Sequence, residues 1–208
     1  MNIKEVKLSH IKKDDRKKVY PPSQDTFILI DAILNDIEYI KALNPTIVLE
    51  IGVGSGAVIS SLALNLDNAF FLGFDINIDA VKLTQRTFCE NRIEMADVVG
   101  IDILKGLNLR NKVDVVICNP PYVTSTREEY LECQNNRDIS SSCPGGENGR
   151  EFIDELLRVV DGILSENGVL YLLYEEENGQ FGGINLLTER TGCEGLCVIR
   201  RNKNNQTK

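Results

Sequence analysis

The chain has 208 residues, 42% of them hydrophobic and 26% charged, which is ordinary globular usage and enough for one full-sized domain. No run nears the roughly 18 consecutive apolar residues of a membrane span. The opening MNIKEVKLSHIKKDD holds no apolar signal core, so a soluble cytoplasmic protein is expected, with the nucleus as a second compartment and no membrane contact. Formal charge is −8 and uneven: the two ends (1–18 and 200–208) take seven and four of the 23 basic residues, so residues 19–199 carry 12 basic against 28 acidic ones. Such a body repels phosphate backbones and makes nucleic acid an unlikely partner.

The six cysteines, at 89, 118, 133, 143, 193 and 197, form no C-x-x-C pair, and His10 is the only histidine. Neither a metal site nor a disulfide framework is expected. Residues 1–18 read as a basic flexible arm, 19–201 as a single domain and 202–208 as a polar tail. In chain order, apolar residues at 27, 30, 33, 34, 37 and 40 predict one helix from Ser23, its N-cap, to Asn44-Pro45. Strands follow at 46–51, 69–74, 96–101 and 113–118, with helices at 56–66 and 78–91. A helix over 148–164 leads into a strand at 169–174, and an antiparallel pair, 184–190 and 196–201, closes the chain. Strands alternating with helices predict an α/β fold: a mostly parallel open sheet with helices on both faces and an antiparallel C-terminal strand.

The first strand ends in Glu50-Ile51-Gly52-Val53-Gly54-Ser55-Gly56, at the carboxyl edge where doubly wound sheets bind ligands. Gly52, Gly54 and Gly56 allow close backbone approach there. A tight turn without a ligand would look the same, and Gly52, Gly54 and Ala57 also satisfy a dinucleotide fingerprint. Asp75 ends the second strand, where a carboxylate accepts ribose hydroxyls or caps the next helix; Asp102 ends the third, placed for an adenine amino group or for loop capping. Glu50 is awkward beside a pyrophosphate and suited to a cation. Together these residues favour S-adenosylmethionine, with its sulfonium and ammonium groups, over a nicotinamide cofactor.

The fourth strand runs into Asn119-Pro120-Pro121-Tyr122. Two prolines stiffen the strand end and remove two N–H donors. Asn119 adds an amide acceptor and Tyr122 an aromatic wall. A planar NH₂ group seated here donates one hydrogen to Asn119 and one to the Pro120 carbonyl. Its weakly nucleophilic nitrogen is then aligned for methylation by positioning and electrostatics, with no strong base required.

EIGVGSG, the acid after the second strand and NPPY together resemble an S-adenosylmethionine-dependent class I methyltransferase with a Rossmann-like fold. VYPPSQDTFILIDAI (19–33) and PGGENGREFID (144–154) narrow the resemblance to the eukaryotic branch of the HemK-type protein glutamine N5-methyltransferases. The resemblance implies methylation of the glutamine in the Gly-Gly-Gln loop of the class I translation release factor. It implies cofactor contacts from Thr26, Glu50, Gly52, Asp75, Asp102, Ile103 and Asn119, and a substrate site of Asn119, Pro120, Pro121 and Tyr122. It further implies a heterodimer with a small zinc-binding activator protein, joined along the edge strand Ala96–Ile101. Amino methylation of nucleic acid, as of N6-adenine, is an alternative that NPPY also serves, and a non-catalytic cofactor-binding subunit is another. One departure stands out: EEENGQFGG occupies the place of a full helix before the last two strands, and a short connector is expected there.

Overall fold

In the computed structural model, which describes residues 3–102, 109–191 and 194–203, the strands form one sheet of seven. They are β1 (Ile47–Ile51), β2 (Phe70–Asp75), β3 (Ala96–Gly100), β4 (Val113–Cys118), β5 (Leu164–Glu175), β6 (Ile184–Thr191) and β7 (Glu194–Asn202). Their order is β3-β2-β1-β4-β5-β7-β6; the first five run parallel, and β7 pairs antiparallel with both β5 and β6. Strand order reverses between β1 and β4, and this switch point opens a crevice at the strands' carboxyl ends.

Helices α1 (Gln24–Asn35), α2 (Ile37–Leu43), α3 (Ala57–Ala63) and α4 (Ile78–Glu90) lie on one face. There Leu29, Ile33, Ile40, Ile59 and Leu62 pack against Val48, Val115, Ile117 and Tyr171. The opposite face carries α6 (Glu151–Ile163). Its Ile153, Leu156, Val160 and Ile163 recur at helical spacing and bury against Leu49, Val116, Leu170 and Leu172, each worth about 1.5–3 kcal/mol. Helix α5 (Arg127–Asn136) lies between β4 and β5.

Three expectations change. The long first helix is broken at Asp36, whose carboxylate takes the Tyr171 hydroxyl (2.6 Å) and Arg200 Nη1 (2.6 and 2.8 Å). Asn35 and Asp36 are weak helix formers, and a half-buried ion pair holds the chain in the break. The basic arm is docked. Asn65 pairs with both backbone groups of Lys4 (2.9 and 2.8 Å), and Asn91 does the same for Lys7 (2.7 and 2.9 Å). His10 Nε2 lies 2.9 Å from Thr87 Oγ1, Asp15 pairs with Arg86, and Val19 is buried beside Ala80 and Leu83. Residues 3–19 thus form a strap across α3 and α4, since the asparagines satisfy its backbone as a neighbouring strand would. Finally, the strand expected to end at 201 runs to Asn202, inside the segment read as a tail.

Helix α5 was not foreseen. It buries only Tyr130, so it lacks an apolar stripe. Its signal was the capping box Thr126-x-x-Glu129, in which Glu129 N–H donates to Thr126 Oγ1 (3.2 Å) and Thr126 N–H to the Glu129 carboxylate (2.9 Å). The short connector is as expected: one turn of 3₁₀ helix at Glu176–Asn178, then irregular chain to β6.

Candidate active site

Parallel register builds the site. Ile51 pairs with Cys118, so Gly52 and Asn119 leave the sheet side by side. A Cβ added at Gly52 would lie 3.9 Å from the Asn119 carbonyl oxygen. Phe74 pairs with Ile51 and Asp75 with Gly100, which brings Asp75 and Asp102 to the same edge. Between these ends lies a cavity of about 360 Å³.

Thr26, Glu50, Gly52, Gly54, Asp75, Asp102, Asn119, Pro120, Pro121 and Tyr122 all line it, so the residues singled out by sequence converge on one space. Ile103 lies outside the described residues. Gly56 is not among the lining residues. Gly56 sits behind the loop at φ +76°, where an added Cβ would meet Thr84 Cγ2 at 2.9 Å. There it packs the loop closely on α4.

The loop's own hydrogen bonds decide what it can hold. Gly52 and Val53 N–H groups donate to the Phe74 carbonyl (2.8 and 3.1 Å), Gly54 N–H to Asp75 Oδ2 (2.9 Å) and Gly56 N–H to the Val53 carbonyl (2.8 Å). These four donors are spent inside the protein and are not offered to a pyrophosphate, which removes the support for a dinucleotide reading. Asp75 Oδ1 takes Asn77 N–H (2.8 Å), so the carboxylate both fixes the loop and caps the region leading into α4.

Glu50 lies beneath the loop at 2% exposure and accepts Ile59 N–H (2.8 Å). Burial pushes its carboxyl well above the usual carboxylate range; the Ile59 bond opposes this and nearby Asp75 adds to it. Asp75 is likewise pushed up by burial, against the pull of its N–H donors. Two acids whose burial is costly fit a cationic ligand, whose charge would offset that cost.

Sequence reasoning missed much of the cavity wall. Tyr130, Leu131 and Gln134 of α5, Cys143, and Phe152 and Glu155 of α6 line the same cavity. Burial, then Glu155, Glu151 and Asp102, push the Tyr130 phenol up, so it stays an O–H donor. It also missed Asp25, in the first turn of α1 at 6% exposure. Asp25 Oδ1 accepts Thr26 N–H (2.8 Å) and Asp25 Oδ2 accepts Asn119 Nδ2–H (3.0 Å). The remaining amide oxygen, Asn119 Oδ1, is closed from water and has no hydrogen-bond partner among the described residues.

The methyltransferase small domain family matches residues 31–135. Methyltransferase HEMK2 of Mus musculus is 33% identical to the chain, over 93% of this chain and 94% of its own length. The chain belongs to the HemK-type methyltransferases. The eRF1 methyltransferase catalytic subunit mtq2 of Schizosaccharomyces pombe is 32% identical to this methyltransferase, over 82% of this chain and 78% of that one. Among solved structures, the ribosomal protein L11 methylase of Lactobacillus delbrueckii subsp. bulgaricus superposes with a TM-score of 0.56. It covers 89% of this chain and 82% of its own at 16% identity, a likeness of fold alone. The mostly parallel sheet of this methyltransferase, with its antiparallel C-terminal strands, is the fold expected from its sequence.

Proposed function

We propose that this methyltransferase transfers a methyl group from S-adenosylmethionine to the side-chain amide nitrogen of the glutamine in the Gly-Gly-Gln loop of a class I translation release factor. The observation that carries the reading is the unpartnered Asn119 Oδ1 on the NPPY turn, beside a glycine loop whose acids suit a cation. The HEMK2 and eRF1 methyltransferase relatives support the substrate.

When bound, S-adenosylmethionine supplies a methyl group on a sulfonium leaving group. Thr26, Glu50, Gly52, Gly54, Asp75 and Asp102 would hold it. Once a small shift of the turn uncovers it, Asn119 Oδ1 would accept one hydrogen of the substrate NH₂ and the Pro120 carbonyl the other. Acceptors on both hydrogens stabilise positive charge as it grows on nitrogen, and one N–H proton then leaves to water. Asp138 and Glu155 also line the cavity, and their negative charge disfavours a nucleic-acid substrate.

A small zinc-binding activator protein would pair with β3. In support, β3 pairs with β2 alone among the described residues, and Met95 (61% exposed), Val99 (39%) and Phe70 (37%) lie at that margin. The reaction belongs in the cytoplasm, with the nucleus as a second compartment.

The test is labelled-methyl transfer, with activator present, to release factor, to its Gly-Gly-Gln glutamine variant and to DNA oligonucleotides. Label should enter only the first. Transfer confined to DNA would overturn the reading, and no transfer at all would favour a non-catalytic subunit. Asn119→Ala should lower turnover by about 100-fold or more, the range set by loss of a key acceptor, with cofactor affinity largely intact by calorimetry.

A further inference from the structure

Asp25 belongs to no motif of the glycine loop or the NPPY turn, yet it reaches 94 residues along the chain to hold Asn119. A side-chain amide has two ends of nearly equal shape and opposite hydrogen-bonding sense. A methyl-accepting NH₂ needs the oxygen end. Turned by 180°, the same asparagine would present its own NH₂ to the substrate's NH₂, donor against donor. Stiffness of the two prolines fixes the backbone but does nothing to choose between these two rotations.

We infer that Asp25 is a positioning residue that selects the amide orientation of Asn119, turning its nitrogen into the protein and leaving its oxygen for the substrate's N–H. A carboxylate only accepts, so Oδ2 at 3.0 Å from Nδ2 is compatible with one of the two rotations. Asp25 cannot swing away to serve something else. It is 6% exposed, its Oδ1 is held by Thr26 N–H at 2.8 Å, and the Ser23 hydroxyl donates to the same oxygen. The price of the arrangement is visible at the other end: Asn119 Oδ1 is left buried with no donor among the described residues. A buried acceptor in that state is unfavourable until a ligand supplies a hydrogen. The ordinary alternative is that Asp25, as an acid in the first turn of α1, serves only the helix N-terminus.

The inference rests on the proposed amide-methylating reading, and the two are separable by experiment. Asp25→Asn keeps the shape but turns the acceptor facing Asn119 into a donor, which favours the wrong rotation. Asp25→Ala removes the constraint and lets the substrate choose. The positioning role therefore orders turnover as wild type, then Asp25→Ala, then Asp25→Asn. A helix-capping role orders the variants the other way, because asparagine fills the space and caps well. Asp25→Asn should lose about 10- to 100-fold in kcat, the range for a charge-assisted hydrogen bond, with KM and cofactor affinity within about threefold. Swapping the pair, as Asp25→Asn with Asn119→Asp, restores a donor facing an acceptor at unchanged net charge and should recover about tenfold over Asp25→Asn.

Turnover equal to wild type in Asp25→Asn, or a swap no better than that single variant, would overturn the inference. So would a loss confined to cofactor affinity, since Asp25 would then be a ligand contact. A readout independent of transfer comes from the Asn119 side-chain NH₂ signal in ¹H–¹⁵N spectra of the full chain. One proton should be shifted downfield and protected in wild type and lose both properties in Asp25→Ala; an unchanged signal would overturn the inference even if no release factor were methylated.

Discussion

Glu50 stands directly under the glycine loop in a place where its charge is unfavourable in the free protein. Its carboxyl holds its proton more tightly folded than unfolded, because burial outweighs the Ile59 N–H bond. The sign follows from linkage. Well below the ordinary value of 4.5 the carboxyl is protonated in both states; as pH rises from there toward its higher native value the unfolded state ionises first, and the folded state loses stability. Stability without ligand should therefore decline as pH rises through about 4.5 toward that native value. Glu50→Gln keeps an acceptor for Ile59 and removes that dependence, so its Tm should exceed that of wild type at about pH 8 and match it well below pH 4.5. Thermal melts across this range check it; a variant less stable than wild type at pH 8 would show the native carboxylate to be well compensated. At this scale the sequence was highly legible, since Glu50, Asp75 and Asn119 are side chains whose chemistry declares itself at a strand end. Asp25 was not legible, because its meaning is a contact with a residue far along the chain.

At the scale of elements, the connector that replaces a helix has its own task. Asn178, at 1% exposure, donates its two amide hydrogens to the carbonyls of Tyr122 and Asn148 (3.0 Å each) and accepts Glu175 N–H (2.9 Å). It thereby ties the NPPY turn to the segment around Gly149, where an added Cβ would strike the Tyr122 carbonyl oxygen. Arg150 braces the same point. Its Nη1 donates to the Asn178 carbonyl (3.3 Å), its other nitrogens meet Asp154 (3.0 and 2.9 Å), and its guanidinium stacks 4.9 Å above Phe181. Asn178→Ala removes three hydrogen bonds to backbone groups, each worth about 0.5–1.5 kcal/mol, and should cost about 3 kcal/mol, with turnover reduced as well, by urea unfolding and transfer assay. A loss below about 1 kcal/mol would mean that water replaces the amide. The connector's lack of a helix was readable from its glycines and missing apolar spacing. Its grip on the catalytic turn was not, for Asn178 looks like any turn asparagine until the chain closes around it.

For the molecule as a whole, the two faces of the sheet are unequally covered. Four helices and the strap lie on one, while α6 is the helix packed on the other among the described residues. The strap matters to the site because Val19 and Tyr20, at its end, line the cavity. Replacing both Asn65 and Asn91 with alanine removes four hydrogen bonds to the strap backbone, each worth about 0.5–1.5 kcal/mol. The double variant should be cut by trypsin near Lys12 and Lys13 about tenfold faster and bind S-adenosylmethionine more weakly. Unchanged cleavage would show that Val19 and the Asp15–Arg86 pair suffice to hold the segment.

Local chemistry was written in the sequence: the alternation that makes a parallel sheet, the glycines that bring backbone close, and the acids and prolines that end its strands. These are properties of neighbours along the chain, where periodicity and dihedral preference act directly. The docking of the basic end, the break at Asp36, the place of Gly56 behind the loop and the hold of Asp25 and Asn178 on the NPPY turn arose only on folding. Each depends on a partner 28 or more positions away, and no pattern within one segment carries the free energy of a contact that another segment must supply.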